Sequence, residues 1–148
     1  MAFRAILATT YINARGYATQ LQRLASDSKA LMAAGNVSAN VIGQLLDSFI
    51  TGKAQLNAAA NTSGIAAYAK AQEGDDAYDV AAAFTAMMSA ADGVINWIVA
   101  NVPTATSGGF TGVLLESWSA SGRTVRTFTS TQTAGLQTAL QTFIDSVA

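Results

Sequence analysis

Apolar residues recur at steps of three and four, the period of an amphipathic α-helix, in four stretches of this chain. The clearest runs from Asp75 to Pro103, where Val80, Phe84, Met87, Ala91, Val94, Ile95, Ile98 and Val102 form one face. Asp76 is placed to accept from the unpaired N–H groups of the first turn. Asp79 adds negative charge near the positive end of the helix, and Pro103 stops it. The pattern predicts a central helix in which Trp97, near the end, is a large anchor for neighbouring elements.

Ahead of it, residues 2 to 34 bring Phe3, Leu7, Ala14, Tyr17, Leu21, Leu24, Ser28 and Leu31 near one face, which predicts one long helix. Gly16 weakens it by roughly 1 kcal/mol relative to Ala. Gly35 and Asn36 suit its C-terminus. Ser38 then caps a second helix carrying Val41, Ile42, Leu45, Leu46, Phe49, Ile50 and Leu56, with a break at Thr62, Ser63 and Gly64. So short a connection makes the two helices antiparallel neighbours. Ile65 to Gln72 reads as a short helix, and residues 73–76 as the turn into the central one.

After Pro103 the texture changes to Thr, Ser and Gly. Phe110 to Trp118 and Arg123 to Phe128 are rich in β-branched and aromatic residues and flank the turn-forming Ser119-Ala120-Ser121-Gly122, which predicts a β-hairpin over about 110–128. Thr-Ser-Gly-Gly at 106 to 109 reads as a flexible turn. Thr129, with Gln132 three residues later, matches a capping box for a final helix bearing Leu136, Leu140, Phe143, Ile144 and Val147. The expectation is a single mainly α domain over residues 1–148. It is an antiparallel bundle of four to five helices with one β-hairpin before the C-terminal helix.

Composition narrows what such a bundle does. Charged residues are only 11% of the 148, against ~25% in typical soluble domains, and the formal net charge is −1. A surface built from Ala, Ser, Thr, Gln, Asn and Gly does little to hold molecules apart, which favours a subunit packed against copies of itself or other proteins. Cysteine and histidine are both absent. Thiolate metal sites, a Cys nucleophile, the Ser-His-Asp triad and nearly every catalytic zinc site are thereby excluded. Asp92 and Asn96 interrupt the most apolar helix, so a soluble protein without membrane contact is expected.

The remaining candidates have simple explanations. Glu73, Asp75, Asp76 and Asp79 form the one carboxylate cluster, but their spacing does not match an EF-hand loop, and helix capping explains them; no metal or cofactor is expected. Arg4, Arg15 and Arg23 occur in an acid-free N-terminal stretch that superficially resembles a transit peptide. The apolar stripe continues past Asp27, however, which favours a structural helix. Eight cations against nine anions are not a nucleic-acid footprint. The hairpin concentrates Phe110, Trp118, Arg123, Arg126 and Phe128. Trp and Arg are enriched where interfaces are strongest, so these five residues are the candidate interface.

Several phrases, "YINARGYATQLQRLA", "GNVSANVI", "IAAYAKAQ", "AYDVAAAF", "INWIVANVP" and "FTSTQTAGLQTALQ", resemble small proteins encoded by tailed bacteriophages and prophages, including virion and head–tail morphogenesis components. They are core patterns and caps, so no site residue is carried over. The resemblance implies a non-enzymatic structural component of a virion, assembled in the host cytoplasm. It implies an assembly subunit in the neck between portal and tail or attached to the capsid, and the favoured expectation is a head–tail connector or neck subunit forming a ring, with copies of itself and portal, neck, tail or capsid proteins as partners. The alternatives are a capsid decoration protein and a small cytoplasmic binding or regulatory module with a groove between helices. A third is a metal-dependent enzyme using Asp75, Asp76 and Glu116.

Overall fold

The computed structural model describes residues 12–63, 80–102, 105–106, 108–110, 116–119, 122–125 and 127–147. In chain order these form α1 (Ile12–Ala34), β1 (Val37–Ser38), α2 (Ala39–Ser63), α3 (Val80–Asn101), β2 (Ala105–Thr106), β3 (Gly109–Phe110), β4 (Glu116–Ser119), β5 (Gly122–Val125), β6 (Thr127–Phe128) and α4 (Ala134–Val147). The architecture is mainly helical, with a two-stranded antiparallel hairpin ahead of the C-terminal helix. The short helix expected at 65–72, the cap at Asp76, the stop at Pro103 and the start of the first helix all lie outside the described residues.

The helices form a closed square. α1 packs on α2, α2 on α3, α3 on α4, and α4 back on α1. One continuous core fills the interior, its largest fully buried side chains being Phe49, Phe143, Met32, Ile42, Leu46, Leu56, Met87, Ile98 and Leu136. Phe49 of α2 and Phe143 of α4 meet across the diagonal, ring centroids 5.1 Å apart and planes at 70°. Edge-to-face contact of this kind sets the positive rim of one ring against the negative face of the other.

Local chemistry places the helix ends. The Val41 N–H donates to Ser38 Oγ at 3.3 Å, which is the N-cap of α2. Both arms of the expected box are made ahead of α4: the Thr129 N–H donates to Gln132 Oε1 at 2.8 Å, and the Gln132 N–H to Thr129 Oγ1 at 3.2 Å. Behind them Thr133, fully buried, donates through Oγ1 to the carbonyls of Thr129 and Ser130. It also accepts from Gln137 Nε2 at 3.1 Å, so no polar group on its side chain is left unsatisfied.

The inward face of α1 differs from the expected stripe. Ala18, Leu21, Ala25 and Met32 are buried, Tyr17 and Leu24 are half-buried, and Leu31 is 51% exposed. A reading weighted by side-chain bulk put the face about one residue out of phase. Alanines share this buried face with Leu21 and Met32, where both α2 and α4 pack against α1. In α2, α3 and α4 the expected faces hold: Ile42, Leu45, Leu46, Phe49 and Leu56, then Met87, Ala91, Val94, Ile95, Ile98 and Val102, then Leu136, Leu140, Phe143 and Val147 are all buried.

α3 is long and apolar enough over Ala82–Asn101 to cross a membrane by length and composition alone. Asp92 and Asn96 therefore interrupt its apolar run less than the sequence reading assumed. In the fold this helix is one wall of the bundle. Its Met87, Ala91, Val94 and Ile98 are fully buried, and its Asp92 pairs with Lys53 of α2.

Candidate interaction surface

Among the described residues the stretch from Ala105 to Phe128 takes part in three two-stranded antiparallel ladders, one of which, β4–β5, is the expected hairpin. β2 pairs with β3, Ala105 opposite Phe110 and Thr106 opposite Gly109; the pair leaves two residues between its strands, where the sequence offers Ser107-Gly108. β4 pairs with β5, running from Glu116 opposite Val125 to Ser119 opposite Gly122. β6 pairs with β1 at the α1–α2 junction, Val37 opposite Phe128 and Ser38 opposite Thr127. Within the expected strands 110–118 and 123–128, the described residues Phe110, Thr127 and Phe128 pair with β2 and β1, and Glu116–Ser119 pairs with Gly122–Val125.

This division sorts the five candidate residues. Trp118 and Arg123 are direct cross-strand partners in the β4–β5 hairpin. Phe110 belongs to β3, which runs beside α2. Phe128 is 6% exposed and sits in the core opposite Val37, so its assignment to an interface is corrected: it fastens the chain to the bundle. Arg126 lies outside the described residues. The structure therefore brings together two of the five and gives one of the others an internal role.

β4 and β5 make their extensive contacts only with each other among the described residues. β3, just before them, lies against α2, and β6, just after them, is tied to β1. Among the described residues the hairpin is thus flanked by two strands tied to the bundle, while its own extensive pairing is internal. Two strands alone are marginal in water.

The other candidates gain little from the structure. The acidic cluster at 73–79 falls outside the described residues, as do Arg4 and, of the carboxylate trio, Asp75 and Asp76. Glu116 is in β4, opposite Val125. Among the described residues no three His, Cys, Asp or Glu gather as a metal site. Arg15 and Arg23 are exposed on α1. Between α1 and α2 runs an open groove of about 370 Å³ whose lining includes Tyr17, Leu21, Leu24, Asp47, Gly52 and Gln55. The sequence offered a groove between helices as one alternative but none of its residues, because they come from two helices and no motif links them.

Family models, curated proteins and solved structures yield no match to this chain.

Proposed function

We propose that this chain is a non-enzymatic structural subunit of a tailed-phage particle, a head–tail connector or neck component that assembles in a ring. The observation that carries the reading is the division of labour in the fold. A bundle with its own continuous core supplies a rigid body, and a hairpin between strands tied to that bundle would serve as the contact element. The sequence resemblance to phage virion proteins gives that arrangement its setting. The weak charge and the lack of histidine and cysteine agree with a role made of contacts rather than of bond chemistry.

The test is the native mass of the purified protein across a concentration series, alone and with phage particles or isolated portal. A ring-sized oligomer, or a monomer that joins particles, supports the proposal. A monomer at every concentration that ignores virion proteins defeats it. The groove between α1 and α2 favours a second reading, a helical module binding a peptide or a small apolar ligand, and its volume falls in the range of ligand sites. Ligand-dependent stabilisation of a persistent monomer, abolished by Gly52→Leu, would support it.

A further inference from the structure

We propose that the β4–β5 hairpin is itself the contact between subunits. The β4 edge of one copy pairs with the β5 edge of the next, so that copies of this chain join head to tail through a continuing sheet. The proposal rests on the assembly reading above and names its partner, a second copy of the same chain.

The backbone supplies the first argument. Each strand of the hairpin has a ladder on one side only, and among the described residues neither outer edge has a partner. An edge of this kind is a row of N–H and C=O groups ready to pair with another strand. The devices that usually block such pairing include Pro and Lys, and neither occurs in ESWS or GRTV. The flanking strands β3 and β6 are tied to α2 and β1, which limits the entropy lost when the hairpin docks.

Charge selects which edges meet. β4 carries an acid, Glu116, and no base; β5 carries a base, Arg123, and no acid. Pairing like edges about a two-fold axis in full overlap sets Glu116 opposite Ser119, or Arg123 opposite Thr124, of the other copy, so neither charge meets an opposite one. Pairing β4 with β5 brings opposite charges together. A like-edge contact closes a dimer, whereas an unlike-edge contact propagates, giving rings where the rotation closes.

Spacing then orients the assembly. Two strands at ~4.8 Å each occupy about 10 Å of sheet per copy. A square of helices with axes 8–10 Å apart and cylinders ~10 Å across occupies roughly 20 Å. In a closed array the hairpins therefore lie on the smaller radius and the bundles on the larger.

The chain has no cysteine, so introduced ones report without background. Single-cysteine variants at residues 116 to 119 and at residues 122 to 125 are co-expressed in pairs, checked for unchanged helix content by circular dichroism, and oxidised. A disulfide needs Cα atoms within about 7 Å, which adjacent strands satisfy and strands two apart do not. The expected result is covalent dimers between β4 and β5 variants in one register, and none from any single variant expressed alone. Linking within single variants, or no linking in an oligomer of unchanged native mass, would overturn this proposal while leaving the assembly reading in place. A monomeric native mass would remove both.

Discussion

Trp97 of α3 lies over Gly135 of α4 with no room for a methyl group between them. A Cβ placed on Gly135 would stand 2.5 Å from the indole Nε1 and 3.2 Å from Cδ1. The half-buried indole packs against the core, so it cannot yield without giving up buried surface. Glycine here permits close approach of two helices, at the most heavily shared wall of the bundle.

Two effects compete in Gly135→Ala. Helix propensity favours Ala by up to ~1 kcal/mol. Displacing the indole costs about 1–3 kcal/mol, as overpacking generally does, and at 2.5 Å the clash wins. Urea denaturation should show a net loss of roughly 1–2 kcal/mol. In the Trp97→Phe background, where the smaller ring leaves space, the same substitution should be neutral or stabilising. Equal losses in both backgrounds would contradict the contact.

The other helical glycines give the control. At Gly16 and Gly93 a Cβ would meet nothing within 4 Å, so Gly16→Ala and Gly93→Ala should each stabilise by about 0.5–1 kcal/mol. At Gly52 the Cβ would be 3.0 Å from Leu21 Cδ2, the far end of a side chain that needs to move only a few tenths of an ångström. Gly52→Ala should therefore fall between the two extremes, within about 1 kcal/mol of wild type. A scan of thermal midpoints that ranked position 52 below position 135 would show that the clash distances do not govern the response.

What the sequence made legible was local. Ser38 with Val41, and Thr129 with Gln132, are three residues apart, so residue identity alone announces each hydrogen bond. The apolar faces of α2, α3 and α4 follow from spacing because bulky residues mark them. On α1 the buried face is half alanine, and larger residues beside it, Leu31 above all, pulled the reading round the helix. Phe128 was misplaced for a different reason. Its partner Val37 lies at the far end of the chain, and a two-residue ladder has no periodicity to read. For the candidate surface, the pairing of Trp118 with Arg123 followed from the turn between them. The tie of β6 to β1 depended on that non-local ladder and had no sequence signal.

Across the bundle diagonal, Phe49 and Phe143 are both fully buried. Truncation of either to Ala removes a large core side chain and leaves a cavity, at a cost of about 3–5 kcal/mol. Because the rings touch edge to face, the double variant should cost less than the sum of the two, by about 0.5–1.5 kcal/mol. Phe143→Leu keeps most of the volume and should cost markedly less than Phe143→Ala. Additive losses measured by guanidinium denaturation would deny the diagonal contact.

The ion pair between Lys53 and Asp92 is the opposite case. Its side chains are 36% and 45% exposed, so water screens the attraction and holding both groups in place costs entropy. Asp92→Asn or Lys53→Gln should each change stability by less than about 1 kcal/mol, and 0.5 M salt should shrink the difference. A loss of several kcal/mol from either would mean that the pair is far better shielded than its exposure indicates.

The box at Thr129 and Gln132 tests whether a local signal has a global consequence. It satisfies the Thr129 and Gln132 N–H groups in the turn that leads into α4, and both residues are exposed, so water can replace a lost partner. Thr129→Ala should therefore cost about 0.5–1.5 kcal/mol, and Gln132→Ala about as much or less. Thr129→Ser and Thr129→Asp keep an acceptor for the Gln132 N–H and should stay near wild type. α4 packs on both α1 and α3 and buries Leu136, Leu140, Phe143 and Val147, so it has no route to unfold by itself. The loss should thus appear as a shift of the single global midpoint with an unchanged denaturant slope. A separate early transition would mean instead that α4 detaches before the remaining helices unfold.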